Sequence, residues 1–456
     1  MKRQLHRHLF WALLLIVAGC KNGWNPPPPE SWCKPEDARR ILTEEYAYRS
    51  AHPGESVLQP TSFEGSSFTY AELKPIFQSN CWPCHRPGGN GPFPLQTYEQ
   101  IKRKASTIKE VLSKRVMPPW IADLEYSDIL DAPAISDEER SKIIWWIDHG
   151  MERGAPDAQA GLESEQVLDS ADIYVSPAEP HEITSNTDSY QCFILDPKLT
   201  EDAYVEAISF ESSNPITIHH IMMYIDTMGV LDSFPADWDC MKDSIVNEFV
   251  PIDSWTKGHQ MIRYSADFAH KFPKGTKMLL QIHYGDEGFK GKLEQVRVGL
   301  HLRDSPPPRV IHWEILNNLD IFIPANKIKV ETIEYKVEKD ISILGLVPHL
   351  HFIGRMVEIY AMTPDCRKIN LFKSNVWEYL WQGRYMFPRP IHVPSGSTVY
   401  MNVLYDNTAG NPVQPNDPIV DIRYDNYSNQ EMMVLCLYFV DYWKGDENRK
   451  VGELVR

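Results

Sequence analysis

The stretch Ile333-Glu334-Tyr335-Lys336-Val337-Glu338 alternates apolar with charged side chains, which is the pattern of a β-strand with one face in a protein core. An apolar run from Ile341 to Val347 follows it and predicts a second strand. Beyond about residue 175 the chain continues as short β-branched and aromatic runs broken by Pro, Gly and Asn, without a long amphipathic helix. We therefore predict an all-β region of two antiparallel, jelly-roll-like β-sandwiches, over residues 179–310 and 311–456.

Residues 66–157 have a helical pattern instead. Ser136-Asp137-Glu138-Glu139 forms a capping box, Gly150 ends the helix that follows, and Ile143, Ile144 and Ile147 make its apolar stripe. The small and acidic residues of 158–178 predict a linker. The chain is thus expected to be multidomain, with a small all-α domain ahead of the all-β region.

The composition excludes one class of partner. The 456 residues are 43% hydrophobic and carry a formal net charge of -16, and they contain no long run of Lys or Arg. Because nucleic-acid binding depends on clustered positive charge, we do not expect nucleic acid as a partner.

The N-terminus resembles an export signal. A basic start, Met1-Lys2-Arg3, is followed by an apolar run, Leu9 to Val17, that is too short to span a bilayer. The run ends in Ile16-Val17-Ala18-Gly19-Cys20, which resembles a bacterial lipobox. We predict a lipoprotein signal peptide over 1–19, lipidation of Cys20 and a Pro-rich, weakly structured tether over 20–65. An ordinary signal peptide with an incidental cysteine is the alternative.

These features predict an exported protein, anchored to a membrane through its lipid and facing the periplasm or the cell surface. Lys21 after the cysteine favours the outer membrane.

The helical domain contains Cys81-Trp82-Pro83-Cys84-His85. In a C-x-x-C-H motif two thiols can add to the vinyl groups of haem while the adjacent imidazole binds the iron, so we predict one covalent haem c. A zinc site or a disulfide is the alternative. Met117, in Met117-Pro118-Pro119-Trp120, is predicted as the sixth ligand, and this segment resembles one that carries the axial Met in small bacterial cytochrome c domains. Met151 or a histidine is the alternative ligand.

Four segments of the all-β region carry metal-binding side chains. They contain, in chain order, His219-His220, His283, His349-Leu350-His351 and Glu431-Met432. Two histidines at i and i+2 on a strand share a face and can bind one ion. The adjacent pair can do so only at a bulge or a strand end.

Residues from about 180 to 445 resemble the copper type II, ascorbate-dependent monooxygenases, the family of the peptidylglycine α-hydroxylating and dopamine β-monooxygenases. The resemblance implies two copper ions, one bound by His219, His220 and His283 and the other by His349, His351 and Met432. Three imidazoles suit an ion that alternates between Cu(II) and Cu(I), whereas a thioether favours Cu(I). We therefore expect the second set to be the catalytic site, where O₂ reacts.

The predicted function is hydroxylation of a C–H bond in an unidentified small molecule by a copper-dependent monooxygenase. An external donor, either an ascorbate-like reductant or a redox protein, would supply electrons through the haem. A non-catalytic electron-transfer or copper-handling protein and a haem-based redox sensor are the alternatives.

Three positions depart from the peptide-amidating members of the family. An Arg, an Asn and a Tyr clamp the peptide carboxylate there, and Val347, Val434 and Cys436 occupy those positions here. We therefore predict an apolar or uncharged substrate and not peptide amidation.

Five cysteines lie outside the haem motif and the lipobox, so at most two disulfides can form: Cys33, Cys192, Cys240, Cys366 and Cys436. We predict a pair between Cys192 and Cys240 and a buried free thiol at Cys436.

Overall fold

A computed structural model describes most of the chain after residue 34. The described residues are 35–51, 58–87, 89, 91–119, 121–130, 132, 135–154, 170–240, 249–256, 261–285 and 289–455. The predicted signal peptide, Cys20, the Pro-rich start of the tether and most of the predicted linker lie outside them. No helix within these ranges is long and apolar enough to cross a membrane.

The helices lie in the first third of the chain. The described residues form five: α1 (Pro35–Ala51), α2 (Tyr70–Asn80), α3 (Tyr98–Arg103), α4 (Ala105–Ser113) and α5 (Asp137–Asp148). The predicted capping box is confirmed, because the Ser136 side chain accepts from the Glu139 N–H and the Glu139 carboxylate accepts from the Ser136 N–H. Helices α2 to α5 surround one core, in which Phe77 and Trp146 are fully buried.

Helix α1 was not predicted, and the expectation of weak structure up to residue 65 was wrong for Pro35–Ala51. Its Leu42 is buried against Met356 and Leu404 of the second half of the chain. The hydroxyl of Tyr46 donates to Asp406 over 2.6 Å. One buried leucine gives too weak an apolar stripe to reveal this helix by sequence periodicity.

From Ile173 onwards the regular structure of the described residues is mainly β-strand, with three short 3-10 helices. Its strands, in chain order, are β1 (Ile173–Val175), β2 (His181–Glu182), β3 (Ser189–Leu195), β4 (Ala203–Ser212), β5 (Ile218–Asp226), β6 (Asp237–Asp239), β7 (Val250–Thr256), β8 (Met261–Tyr264), β9 (Phe268–Phe272), β10 (Lys277–Tyr284), β11 (Leu293–Glu294), β12 (Val296–Leu302), β13 (Arg309–Val310), β14 (His312–Asn317), β15 (Phe322–Ile323), β16 (Lys327–Lys336), β17 (Ile341–His349), β18 (Gly354–Met362), β19 (Lys368–Ser374), β20 (Tyr385–Val393), β21 (Thr398–Asn407), β22 (Ile422–Arg423), β23 (Val434–Asp441) and β24 (Gly452–Val455). The prediction of an all-β region is confirmed.

The first β unit consists of two five-stranded sheets, β1-β12-β4-β9-β13 and β6-β3-β10-β5-β7. Side chains from both sheets form one core between them, among them Val205 and Val298 from one sheet and Ile221 and Leu280 from the other. Since β1 pairs with β12, this unit begins at Ile173, inside the predicted linker.

The second β unit consists of two four-stranded sheets, β14-β23-β17-β20 and β16-β21-β18-β19. The alternating stretch that begins at Ile333 lies largely in β16, in which Ile333 is buried and Glu334 is exposed. The apolar run after it supplies β17, which is buried along almost its whole length. This core, too, lies between the two sheets.

The two β units are joined by strand pairing and by buried ion pairs. Strand β24, from the end of the chain, pairs antiparallel with β8 of the first unit. Arg384 of the second unit forms a buried ion pair with Asp253 of the first. A second buried pair joins Arg309 to Asp446.

A segment of the predicted haem domain is also built into the second β unit. In residues 121–130, which we call the strap, Ala122 forms a β-bridge with Ser374 and Ile129 packs in the core of the second unit. The Leu130 N–H donates to the carbonyl of Met386 over 2.7 Å. The strap therefore fixes the helical unit to the second β unit.

The predicted disulfide between Cys192 and Cys240 is confirmed, with the two Cα atoms 5.8 Å apart. Cys366 is disulfide-bonded as well. Cys436 is a buried free thiol, as predicted.

Candidate metal centre

The adjacent histidines lie at the start of β5, beside the end of β10. His220 is directly opposite His283, but the next residue of β10, Tyr284, is opposite Ile218. His219 is therefore an extra residue in the ladder. Such a bulge lets two consecutive side chains point the same way, which is the condition for an adjacent pair to bind one ion.

His219, His220 and His283 form a compact, buried cluster. One ring nitrogen of each lies within 4.8 Å of the others. The Nδ1 atoms of His219 and His220 are 3.1 Å apart. This separation fits two nitrogens that bind one ion at about 2.0–2.1 Å each. The Nδ1 atom of His283 is buried without a hydrogen-bond partner in the described structure, so it too is available to an ion.

Asp188 holds the third histidine in place. Its Oδ1 atom lies 3.1 Å from His283 Nε2, on the opposite side of the ring from the unpartnered Nδ1. Burial tends to raise the pKa of Asp188, but hydrogen bonds from His283 and Ser428 outweigh it and lower the pKa to about 2. A carboxylate that accepts from one ring nitrogen fixes the tautomer and leaves the other nitrogen for a metal.

Asp188 was not predicted as a site residue, and no sequence motif marks it. Its second oxygen, Oδ2, accepts from the backbone N–H of Ser428 over 2.9 Å and from the Ser428 hydroxyl. Ser428 belongs to the loop before β23, in the second β unit, so Asp188 bridges the two units.

His349 and His351 lie at the edge of the second unit that faces this cluster. His349 is the last residue of β17, and His351 lies in the turn beyond it, so the two do not share one strand as we had expected. The carboxylate of Glu431 holds that turn by accepting from the N–H groups of His351 and Ile353, each over 2.8 Å. His351 Nε2 is buried without a partner among the described residues.

The two histidine groups are in contact. The ring centroids of His220 and His349 are 5.3 Å apart in an edge-to-face arrangement. Those of His349 and His351 are 5.4 Å apart. The structure therefore brings all five predicted histidine ligands together.

Three of the five imidazoles, those of His220, His349 and His351, are kept neutral by their surroundings. Burial lowers the pKa values of His220 and His349 well below the usual range, and the positive charge of neighbouring imidazoles lowers them further. Burial lowers the pKa of His351 to about 4. Neutral imidazole is the form that binds metal ions.

A cavity of about 450 Å³ opens beside the cluster, between the two β units. His220, His349 and Met432 lie in its wall, so the predicted ligand Met432 is on the same cavity as the histidines. The three positions of the absent carboxylate clamp, Val347, Val434 and Cys436, also line it. Tyr190, Tyr224, Tyr424 and Tyr427 supply aromatic surface, and no Lys or Arg side chain of the described residues lines the cavity.

The predicted haem residues follow helix α2. Cys81 and Cys84 are free thiols, so the disulfide alternative is not what the structure shows. Burial raises the pKa of Cys81 to about 12, which marks an apolar setting. His85 Nδ1 lies 2.9 Å from the carbonyl oxygen of Phe93, and this contact leaves Nε2 for an iron ion. The residues therefore fit a covalent haem.

The Met117 carbonyl accepts from Arg140 on α5, and its side chain is half-buried. The alternative ligand, Met151, is buried in the core of the helical unit. Met117 as the sixth haem ligand stays a prediction.

No protein-family model and no curated protein sequence matches this chain. Among solved structures it is similar to the major capsid protein P2 from bacteriophage PM2, with a TM-score of 0.27 and 8% identity over 60% of this chain and 98% of that one. It is similar to PNGF-II with a TM-score of 0.21 and 9% identity, over 58% and 60% of the two chains. Likenesses of this size carry no argument about what the protein does.

Proposed function

We propose that the protein is a copper-dependent monooxygenase whose electrons arrive through a covalently bound haem. The reaction converts a substrate C–H group, O₂, two electrons and two protons into a C–OH group and water. The observation that supports it best is the buried cluster of His219, His220 and His283, whose His220 contacts His349 and lines one cavity with it. A three-imidazole set beside a set that contains a thioether suits two copper ions with different roles.

The two sets of ligands would have different roles, electron storage and catalysis. Copper at these sites would supply one-electron chemistry and O₂ activation. His219, His220 and His283 would hold the ion that stores an electron, and Asp188 keeps His283 in the orientation that this needs. His349, His351 and Met432 would hold the catalytic ion. Since His349 and Met432 line the cavity, a substrate bound there would face that ion directly.

The cavity disfavours an anionic substrate, since Asp425 is the only charged side chain in its described wall. With no Lys or Arg in its described wall, it offers no counter-charge to a carboxylate or phosphate. Its tyrosine rings offer aromatic contact, and the amides of Asn317 and Gln382 offer hydrogen bonds.

Electrons would come from an ascorbate-like reductant or a redox protein outside the chain. The helical unit with Cys81, Cys84 and His85 would take them up through haem c, and Met117 would complete the iron coordination. Because the strap ties this unit to the second β unit, haem and copper would stay in one assembly during turnover.

Export and lipid anchoring at Cys20 are part of the proposal. The disulfide between Cys192 and Cys240 supports export, since structural disulfides form mainly outside the cytoplasm.

The test begins with metal content. Full-length protein should bind two copper ions and one haem, and His283→Ala and Met432→Ala should each bind one copper ion fewer. His149→Ala, at an exposed histidine, serves as the control and should bind two. Normal copper content in both ligand variants would disprove the site assignment.

Oxygen consumption tests the activity itself. With a reductant and a library of uncharged small molecules, the copper-loaded protein should consume O₂ and form a hydroxylated product. Protein that binds two copper ions and exchanges electrons, yet never consumes O₂, would be an electron-transfer or copper-handling protein instead.

A further inference from the structure

One carboxylate connects the two histidine groups across the boundary between the β units. Asp188 lies just before β3 of the first unit, where its side chain is only 8% exposed. Its Oδ1 atom faces His283 Nε2 at 3.1 Å, and its Oδ2 atom accepts the backbone N–H of Ser428 at 2.9 Å together with the Ser428 hydroxyl. Both carboxylate oxygens therefore have partners, His283 in the first unit and Ser428 in the second.

The Ser428 end of this bridge belongs to the loop that carries Met432. Ser428 is itself buried, and two residues later the carbonyl oxygen of Gln430 lies 3.1 Å from His351 Nδ1. Glu431 then holds the turn around His351, and Met432 follows at once. A shift of Ser428 would therefore move the groups that place His351 and Met432.

We infer that Asp188 is a positioning residue for both metal sites and couples copper binding at one to copper binding at the other. This inference rests on the proposed function. An ion at the first site fixes His283, and the fixed His283 holds Asp188 and, through it, the Ser428 loop. The entropy of ordering that loop is then already lost before the second ion binds, so the second ion binds more tightly. By the same linkage, the second ion favours the first.

The test measures separately the effect of the contact between Asp188 and His283 and that of the contact between Asp188 and Ser428. Copper affinity is measured by competition with a chromophoric Cu(I) chelator in two backgrounds, Met432→Ala, which retains the three-histidine site, and His283→Ala, which retains the other. Asp188→Ala should weaken binding about 10- to 100-fold in the first background, as the loss of a partner of a metal-binding imidazole does. It should also weaken binding about tenfold in the second background, where His283 is already absent.

Three further variants report on positioning and not on stability alone. Ser428→Ala should weaken only the site with Met432, because it leaves the contact between Asp188 and His283 intact. Asp188→Asn retains one acceptor oxygen and should restore part of both affinities. The Cu(II) hyperfine splitting of the three-histidine site should change in Asp188→Ala and not in Asp232→Asn, a control at an exposed aspartate of the same unit.

The possible outcomes are distinct. If Asp188→Ala leaves affinity unchanged in the His283→Ala background, the coupling is disproved although the monooxygenase proposal stands. If the unmodified protein binds no copper, the proposed function fails first. Thermal unfolding of each variant identifies any that fails to fold. If Asp188→Ala is one of these, the copper affinities of Asp188→Asn are compared with those of the unmodified residue instead.

Discussion

His270 is a buried imidazole outside the candidate metal centre. It lies on β9 at 1% exposure, and neither of its ring nitrogens has a hydrogen-bond partner in the described structure. Burial, with a smaller effect from the positive charge of Arg384, lowers its pKa to about 3. The folded protein therefore holds this ring neutral, whereas in the unfolded chain it takes up a proton near pH 6.5.

This difference predicts a loss of stability in acid. The contribution of His270 is fully present above about pH 6.5 and is lost as the pH falls towards 3, by roughly 1.4 kcal/mol per pH unit. His270→Phe should remove this part of the pH dependence. The measurement is the free energy of unfolding in urea between pH 7 and pH 4, with the exposed His149→Gln as control. Parallel pH profiles for the wild type and His270→Phe would contradict the expectation.

The sequence pointed to the three histidines that the structure brings together, but not to the aspartate that holds one of them. His219, His220 and His283 stand in short local patterns, and the structure brings all three together. Asp188 could not be found this way. Its role depends on the register of β3 beside β10 and on a loop 240 residues further along the chain.

In helix α1, Leu42 is the one described side chain that is fully buried against the second β unit, and Tyr46 packs partly buried beside it. Leu42 is 1% exposed, whereas its neighbour Ile41 is 44% exposed. Polar contacts flank the leucine: Tyr46 donates to Asp406, Lys373 pairs with Glu45 over 2.8 Å, and Arg39 donates to Thr332 over 3.1 Å. The helix should therefore open as one unit when the leucine is removed.

Leu42→Ala should lower the free energy of opening α1 by about 2–4 kcal/mol, because it leaves a void against Met356 and Leu404. Ile41→Ala should change it by less than about 0.5 kcal/mol. Native-state hydrogen exchange of the α1 amides measures both values. Equal effects of the two substitutions would mean that the helix is not held by Leu42.

Helices and strands with a clear periodicity of apolar residues could be predicted from the sequence. Elements without such a periodicity could not. The alternation of apolar and charged residues predicts β16, and the apolar run after it predicts β17. The capping box at Ser136 predicts the N-terminus of α5. The prediction that His349 and His351 share one face of a strand was wrong. It assumed that the strand continues through both residues. The chain leaves the strand at His349, where Glu431 holds the following turn.

The association of the two β units includes a buried charge pair. Asp253 and Arg384 are each about 5% exposed or less, and the hydroxyl of Tyr438 also reaches Asp253. Burial raises the pKa of Asp253, and Arg384 counteracts part of that rise. Each charge is tolerated only because the other is present.

Arg384→Met should destabilise the protein by about 3–5 kcal/mol, because it leaves Asp253 buried without its counter-charge. The double variant Arg384→Met with Asp253→Leu should recover most of this loss. Urea unfolding of the two single variants and the double variant measures the coupling. A double variant no more stable than Arg384→Met would show that the pair does not act as a unit.

At the level of the whole molecule, the order of units along the chain was predictable, and their mutual packing was not. Alternating and helical patterns separate the first third of the chain from the rest. The pairing of β24 with β8 joins residues about 190 positions apart, and no local pattern records it.

The strap makes the helical unit inseparable from its neighbour during folding and expression. Residues 121–130 are synthesised well before β18 to β20, and until those strands exist Ala122 and Ile129 have no core to enter. A fragment cut at the apparent boundary near residue 157 would expose those apolar groups to water, and the truncated β region would contain the matching gap. The chain is thus expected to fold as one cooperative body, in which the strap finds its place only when the later strands have formed.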